Sequence, residues 1–398
     1  MATAICPRCT NNPELARLIQ ASGTAKRCTL CKTRQTVLTA EQIGSILNKN
    51  LREIWGKPED SGHNHTLSLR EIVQKAVGDS GEWVDEIING LIRAEKHNLD
   101  KRSTAFWKKQ GQYVKKEINA QEHYKEWKRV EEELRYSRKF FSERAKDFFD
   151  TLFGDIDDLV VVAHGKRQRV VQDIPKSEVF YRARLCKPSE LKAIQQDPVG
   201  HLGPPPRDKA SAGRMNAEGV VVLYMAFDEE TCLAEMRPPL GCQSAIIQVK
   251  TKRDLRILDF SLLERVHCEI NYFHQDFLSE VKKRGFLRAL HQLISQPVMP
   301  GMETDYIMTQ AMAEYLSSVH CHPVDGIKFS SAHRKNGFNL VLFPNKEITG
   351  KKKPEMGSLF GVEYVEDSLK FKQTADIIYQ YKNLSFYLLN DGQIGFAQ

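Results

Sequence analysis

Cys6, Cys9, Cys28 and Cys31 form two Cys-x-x-Cys pairs separated by eighteen residues. Thiolates at that spacing bring two tight turns onto one tetrahedral ion, the pattern of zinc sites. Four cysteines fill the coordination sphere and leave no place for water, so the expected ion is a structural zinc and not a catalytic one. Three other segments combine strand ends with charged or hydroxyl residues: FYRAR (180–184), GRMNAEGVVVLYMAFDEETCLAEMR (213–237) and GIKFSSAHRKNGFNLVLF (326–343). That layout is expected where a sheet delivers side chains into a cleft. The histidines His164, His201, His320, His322 and His333 show no spacing that marks a ligand set. The scattered Cys186, Cys232, Cys242, Cys268 and Cys321 read as buried thiols.

The elements that must position these groups change character along the chain. From about residue 38 to 153 the sequence reads as helical: TAEQIGSILNKNLREIW, LSLREIVQKAV and EWVDEIINGLIRAEKH space apolar residues three and four apart, with Thr39 and Ser68 as N-caps. Trp107 to Phe153 reads as solvated amphipathic helix, with aromatics interleaved among Lys, Arg and Glu. Residues 156–178 read as a connector. Beyond it, EVFYRARL, VVVLYMAF, SAIIQVK, DLRILDF, GIKFS and FNLVLF are short runs rich in β-branched and aromatic residues, the mark of strands. Helices are expected at DEETCLAEMR, at 273–294 and at TQAMAEYLSSV, and Asp228 caps the first, placing Thr231 and Glu235 four apart on one face. No strict βαβ rhythm and no G-x-G-x-x-G turn is present, which argues against a doubly wound nucleotide fold and for an α+β domain with a mixed sheet.

The chain has 398 residues, 41% hydrophobic and 27% charged, a balance that fits a folded globular protein of two or three domains. No run reaches the roughly 18 uncharged apolar residues of a membrane span, and the N-terminus lacks the layout of a signal peptide, so the expected location is cytoplasmic. The net charge of +7 is mild for this length. Residues 1–50 hold seven Lys/Arg against two Glu, which concentrates positive charge around the cysteine pairs.

The second and third segments, taken in order with the first, resemble the RES-domain family. Its pattern is a hydrophobic-Tyr-Arg strand, a Gly-Arg-x-Asn…Gly turn, a Leu/Phe-Tyr strand, a Thr-Ala-x-x-Glu-like helix and, much later, an aliphatic strand ending in Ser. This chain supplies Tyr181-Arg182, Gly213-Arg214-Met215-Asn216, Gly219, Leu223-Tyr224, Thr231 with Glu235, and Ser331. The family's first arginine corresponds to Arg182 or Arg184. The resemblance spans about residues 178–345, and the loop LGPPPRDKASAGRMN looks like that of the subgroup with an N-terminal HEPN-like helical domain.

The resemblance implies an NAD-degrading enzyme with a fold similar to ADP-ribosyltransferases, often the toxin of a bacterial toxin–antitoxin pair. NAD is then the substrate, phosphate or water the acceptor, and a protein antitoxin the partner. Arg182, Glu235 and Ser331 become the catalytic set, and Tyr181, Arg214 and Tyr224 the substrate-binding set. Nicotinamide departs as a neutral molecule, so no general acid is needed and one carboxylate suffices, unlike the paired carboxylates at an ordinary glycosidic bond. Glu235 would hold a ribose hydroxyl and stabilise the developing cation. Arg182 and Arg214 would grip the diphosphate, and Tyr224 would face the nicotinamide ring. Ser331 would hydrogen-bond the substrate amide or Glu235.

The expected organisation is a four-cysteine zinc module at 1–37, a helical HEPN-like domain at 38–155, the connector, and a RES-like catalytic domain at 179–398. Two rival readings stand beside it. One is nucleic-acid binding through the basic zinc module and helical domain, although the nearest match to an Arg-x4–6-His ribonuclease motif, Arg93 to His97, is one residue short. The other keeps the NAD site but transfers ADP-ribose to a macromolecule.

Overall fold

The structure, a computed structural model, describes residues 3–58, 66–79, 81, 83–97, 105–116, 120–163, 166–263, 270–295, 306–345, 355–377, 385–388 and 394–397. Cys268 and His164 lie outside the described residues, as does the side chain of His97. The fold is α+β, and by packing the chain divides into two units. One comprises Met1–Val170 and Leu262–Ile294, the other Val171–Ser261 and Ser295–Gln398. No helix among the described residues is long and apolar enough to cross a membrane.

In the first unit, β1 (Ala4–Ile5), β2 (Thr24–Arg27) and β3 (Arg34–Thr39) form an antiparallel sheet in the order β1-β3-β2. Thr39 and Ser68 cap the helices Ala40–Ile54 and Leu69–Val77, each closing a capping box with the side chain three residues on. The helices Ala40–Ile54 and Trp83–His97 meet at reciprocal glycines. A Cβ on Gly44 would stand 2.4 Å from the Leu91 nitrogen, and one on Gly90 would stand 2.6 Å from the Glu41 Cα. Only a residue without a side chain permits that approach. Ile270, Phe273, Phe277 and Val281, all from the inserted 262–294 segment, complete the core of this unit.

The helical reading of 38–153 is interrupted by β4 (Trp55–Gly56), β5 (Leu67–Ser68) and β6 (Gln112–Lys115), which pair in the order β4-β6-β5. In β6 only Tyr113 is buried while Gln112 and Lys115 face solvent, an alternation that serves a strand. The stretch from Trp107 to Phe153 is therefore β6 followed by two helices, Gln121–Tyr136 and Glu143–Phe153. Of its aromatics, Phe148 and Phe149 are buried and Tyr136, Phe140 and Phe141 are exposed. A hairpin of β7 (Val160–Ala163) and β8 (Lys166–Arg169) closes the N-terminal part of the unit.

The second unit is built on a nine-stranded mixed sheet. Its strands are β9 (Val171–Ile174), β10 (Val179–Cys186), β11 (Leu223–Ala226), β12 (Gln243–Thr251), β13 (Leu255–Asp259), β14 (Gly326–Ser330), β15 (Phe338–Leu342), β16 (Val362–Tyr364) and β17 (Lys370–Gln373). The order is β16-β12-β10-β11-β15-β14-β13-β9, with β17 also on β12, and β13 and β14 form its parallel pair. Six of the nine are the expected strands; β9, β16 and β17 are additions. The alternation of the central strands sorts their faces: Leu223, Met225, Leu340 and Leu342 enter the main core, so Tyr224, Ala226, Asn339 and Val341 face the other way. The helix Glu229–Glu235 follows β11, and Asp228 caps it by accepting from the Thr231 N–H at 2.8 Å. Of the scattered cysteines, Cys186 and Cys232 are buried as expected, whereas Cys242 is half-buried and Cys321 is exposed on the loop that leads into β14.

Candidate functional site

β10, β11, β15 and β14 are consecutive neighbours in the sheet, and they carry or lead directly into Arg182, Tyr224, Asn339 and Ser331. With the end of the Glu229–Glu235 helix they enclose a cavity of about 520 Å³, within the range of small-molecule sites. Arg182, Arg214, Tyr224, Glu235, Arg237, Tyr306, Ser330, His333 and Asn339 supply its polar lining.

Glu235 is the last residue of its helix and half-buried. Its Oε1 accepts from the Ser331 hydroxyl at 2.6 Å and from the Asn339 amide at 2.8 Å. Among the described residues its Oε2 makes no hydrogen bond. Ser331 follows β14, and its Oγ also accepts from the backbone N–H groups of His333 and Arg334, each at 3.1 Å. The hydroxyl proton therefore has one destination, Glu235. The loop after Ser331 is tied to the helix start, where Arg334 pairs with Asp228 and Glu230 and also donates to the Thr231 hydroxyl at 3.2 Å. Thr231 is wholly buried in that tie and does not share the cavity with Glu235.

Arg182 and Arg184 are distinguished by where they lie. β10 and β11 pair only at Tyr181 and Ala226, and the Arg182 guanidinium fills the divergence beyond. It donates to the carbonyl oxygens of Tyr224 at 2.7 Å and Gly203 at 3.3 Å, and also to that of Leu202. Burial pushes its pKa down to about 10, so it stays charged at neutral pH. Arg184 is exposed, paired with Glu190 at 3.3 Å, and does not line the cavity.

Arg214 sits in the turn that begins at Gly213. Asn216 is buried and donates to the carbonyls of Ser211, Ala217 and Val220, while its Oδ1 accepts from the Tyr224 hydroxyl at 3.0 Å. The same hydroxyl accepts from the Met215 N–H at 2.9 Å, and burial raises its pKa. A Cβ on Gly213 would meet Asn216 Oδ1 at 2.7 Å and Tyr224 Oη at 2.9 Å, which accounts for the glycine. Gln310 and Thr309, from the helix Ile307–Glu314, bind the carbonyls of Gly213, Asn216 and Arg214. Arg214 itself lies over the Tyr306 ring, 5.9 Å from its centroid. Among the described residues its guanidinium makes no ion pair, and burial lowers its pKa.

Tyr181 does not reach the cavity. It packs with Ala226, Cys232 and Ile246, and its carbonyl accepts from the Cys232 thiol at 3.3 Å. Burial pushes that thiol up to about 12, an inert group. Three lining residues fall outside the ordered set Tyr181-Arg182, Arg214, Tyr224, Glu235 and Ser331. Asn339 is a polar residue inside the apolar run FNLVLF, 5% exposed, and its polarity in a buried strand position is the one available hint. Arg237 and His333 lie two residues beyond Glu235 and Ser331, and only the folded loop brings them together.

The four N-terminal cysteines also converge. Their sulfur atoms lie within 4.8 Å of one another, and Cys6 and Cys31 stand 3.7 Å apart. In a tetrahedron with metal–sulfur bonds of about 2.3 Å the edge is about 3.8 Å, so the cluster fits a metal ion. The first pair sits on a 3-10 turn, Pro7–Cys9; the second is closed by Lys32, whose N–H bonds the Cys28 carbonyl at 3.0 Å from a left-handed conformation (φ 62°).

Residues 179–359 match the RES domain. The match contains every strand and turn that builds the cavity. No curated protein matches the chain.

Proposed function

We propose that this protein cleaves the nicotinamide–ribose bond of NAD in the cavity around Glu235, with phosphate or water as acceptor. The observation that carries this reading is one carboxylate, fixed through Oε1 by Ser331 and Asn339, in a cavity lined by three arginines. Two held contacts on Oε1 leave Oε2 for a ribose hydroxyl and for the positive charge that grows on the ring. The electron pair of the breaking bond goes to the nicotinamide nitrogen, which becomes neutral; an oxygen of the acceptor then supplies the pair that closes on C1′. A fixed negative charge stabilises such a cation without reorganising as it forms. Serine serves here as a positioning residue.

The positive lining suits a diphosphate. Three of the five Arg182 N–H groups hold main-chain carbonyls, leaving two for substrate, and Arg214 is free of carboxylate partners among the described residues. Tyr224 presents its ring while its hydroxyl is held in the Gly213 turn, which suits stacking against a flat heterocycle. The family resemblance adds the expectation of a toxin or defence role, an ADP-ribosyltransferase-like sheet and a HEPN-like helical domain in the first unit. In the cysteine cluster we place a structural zinc.

Labelled NAD incubated with the purified protein, with and without inorganic phosphate, tests the reaction. A sugar phosphate formed only with phosphate identifies that acceptor, free ADP-ribose identifies water, and label on a macromolecule identifies a transferase. Absence of nicotinamide release in all of these would sink the proposal.

A further inference from the structure

Arg237 lines the cavity and is bound in an unusual way. It follows Met236, the C-cap of the helix Glu229–Glu235, with its N–H closing on the Ala234 carbonyl at 3.1 Å and its backbone left-handed at φ 46°. Glycine is the usual occupant of that position, and a residue with a Cβ is strained there. Strain of this kind clusters at functional sites. The side chain then meets His333: Nε at 3.0 Å and Nη2 at 2.8 Å from the same ring nitrogen, His333 Nε2. A guanidinium has only donors, so Nε2 is the acceptor. The imidazole is thereby neutral, with its proton on Nδ1.

Burial lowers the His333 pKa below the ordinary value of 6.5. The charges that face the ring are Glu235, which favours protonation, and Arg237 and Arg214, which oppose it. On its own loop, Arg334 is engaged with Asp228 and Glu230. Arg237 is thus turned to a histidine; among the described residues Glu235 makes no ion pair, and the Arg237 guanidinium keeps three N–H groups for a ligand.

We propose that Arg237, aimed by neutral His333, binds the phosphate groups of the substrate in this cavity. This rests on the NAD reading and adds to it, beside Arg214, a second guanidinium that has no carboxylate partner among the described residues, and a dependence on pH. Protonation of His333 removes the acceptor and sets two cations against each other, so substrate binding weakens as pH falls through that depressed pKa. Glutamine in place of His333 keeps an acceptor oxygen and cannot titrate.

The test uses the full-length protein, the variants Arg237→Ala and His333→Gln, and two readouts from about pH 5.5 to about 7.5. Both side chains are exposed at the cavity, so neither change disturbs a core. For NAD turnover, Arg237→Ala should raise KM about tenfold or more at every pH, with a smaller change in kcat. The wild type should show KM climbing as pH falls, and His333→Gln should flatten that climb. Calorimetric titration with inorganic pyrophosphate should repeat the pattern without any bond cleavage. Wild-type KM and pyrophosphate affinity retained in Arg237→Ala, or the same pH dependence in His333→Gln as in the wild type, would overturn the assignment. If pyrophosphate binding follows the pattern and no nicotinamide is released, the pair keeps its role and the NAD reading fails.

Discussion

Ser331 donates its hydroxyl proton to Glu235 Oε1 at 2.6 Å while accepting two backbone N–H bonds itself. A serine so arranged spends its one proton on the carboxylate and its lone pairs on two backbone N–H groups, so it is not free to turn toward a substrate. Its role is to hold one carboxylate oxygen, and Asn339 holds the same oxygen from the neighbouring strand.

Removing either donor should therefore loosen Glu235 without deleting it. Ser331→Ala and Asn339→Ala are each expected to lower kcat for nicotinamide release by about tenfold to a hundredfold, the worth of one hydrogen bond to a charged group. Steady-state kinetics checks this. A wild-type kcat in both variants would remove the positioning role.

Tyr224 links the site to its scaffold. Tyr224→Phe keeps the ring and deletes the hydroxyl that joins Asn216 to the Met215 N–H. The two buried groups left unpaired should cost about 1–3 kcal/mol, seen as a lower midpoint in thermal or urea unfolding. The turn carrying Arg214 loosens with it, so KM should rise as well. An unchanged midpoint would mean that the hydroxyl adds nothing to the hold that Asn216, Gln310 and Thr309 have on the turn.

The cysteine cluster yields an independent prediction. Cys28 is wholly buried among the four sulfurs, and Cys28→Ser should lower the bound metal and the unfolding midpoint together. Metal analysis beside calorimetry measures both, and kcat for nicotinamide release should stay at the wild-type value. Equal metal content and midpoint in the two proteins would remove the metal from the account.

Much of this arrangement was legible in the residues, for physical reasons that also mark its limits. Short β-branched runs identified β10 to β15 because each buries one or both faces. β17, all four residues exposed, and β9, with Val171 buried and its other three residues facing outward or half-buried, carry no such pattern. The cysteine pairs were legible because ligand spacing is local. Glu235, Arg214 and Ser331 were found as members of an ordered set, and the structure places them around one cavity or directly behind it. Tyr181 shares the face of Ala226, Tyr224 and Asn339 but packs beside Cys232 and Ile246, so strand alternation alone does not tell which residues of that face reach the cavity. Arg237 meets His333 across ninety-six positions, and no local rule anticipates that.

In the proposed reaction Glu235 is the group that stabilises the developing cation. Glu235→Gln preserves size and can still accept from Ser331, so the fold should stand, as circular dichroism and the unfolding midpoint would show. Nicotinamide release from NAD by this variant, measured beside the wild type, should fall by about a hundredfold to a thousandfold or more, the scale of losing a principal electrostatic stabiliser. Turnover near the wild-type rate in a folded Glu235→Gln protein would rule out that role for the carboxylate.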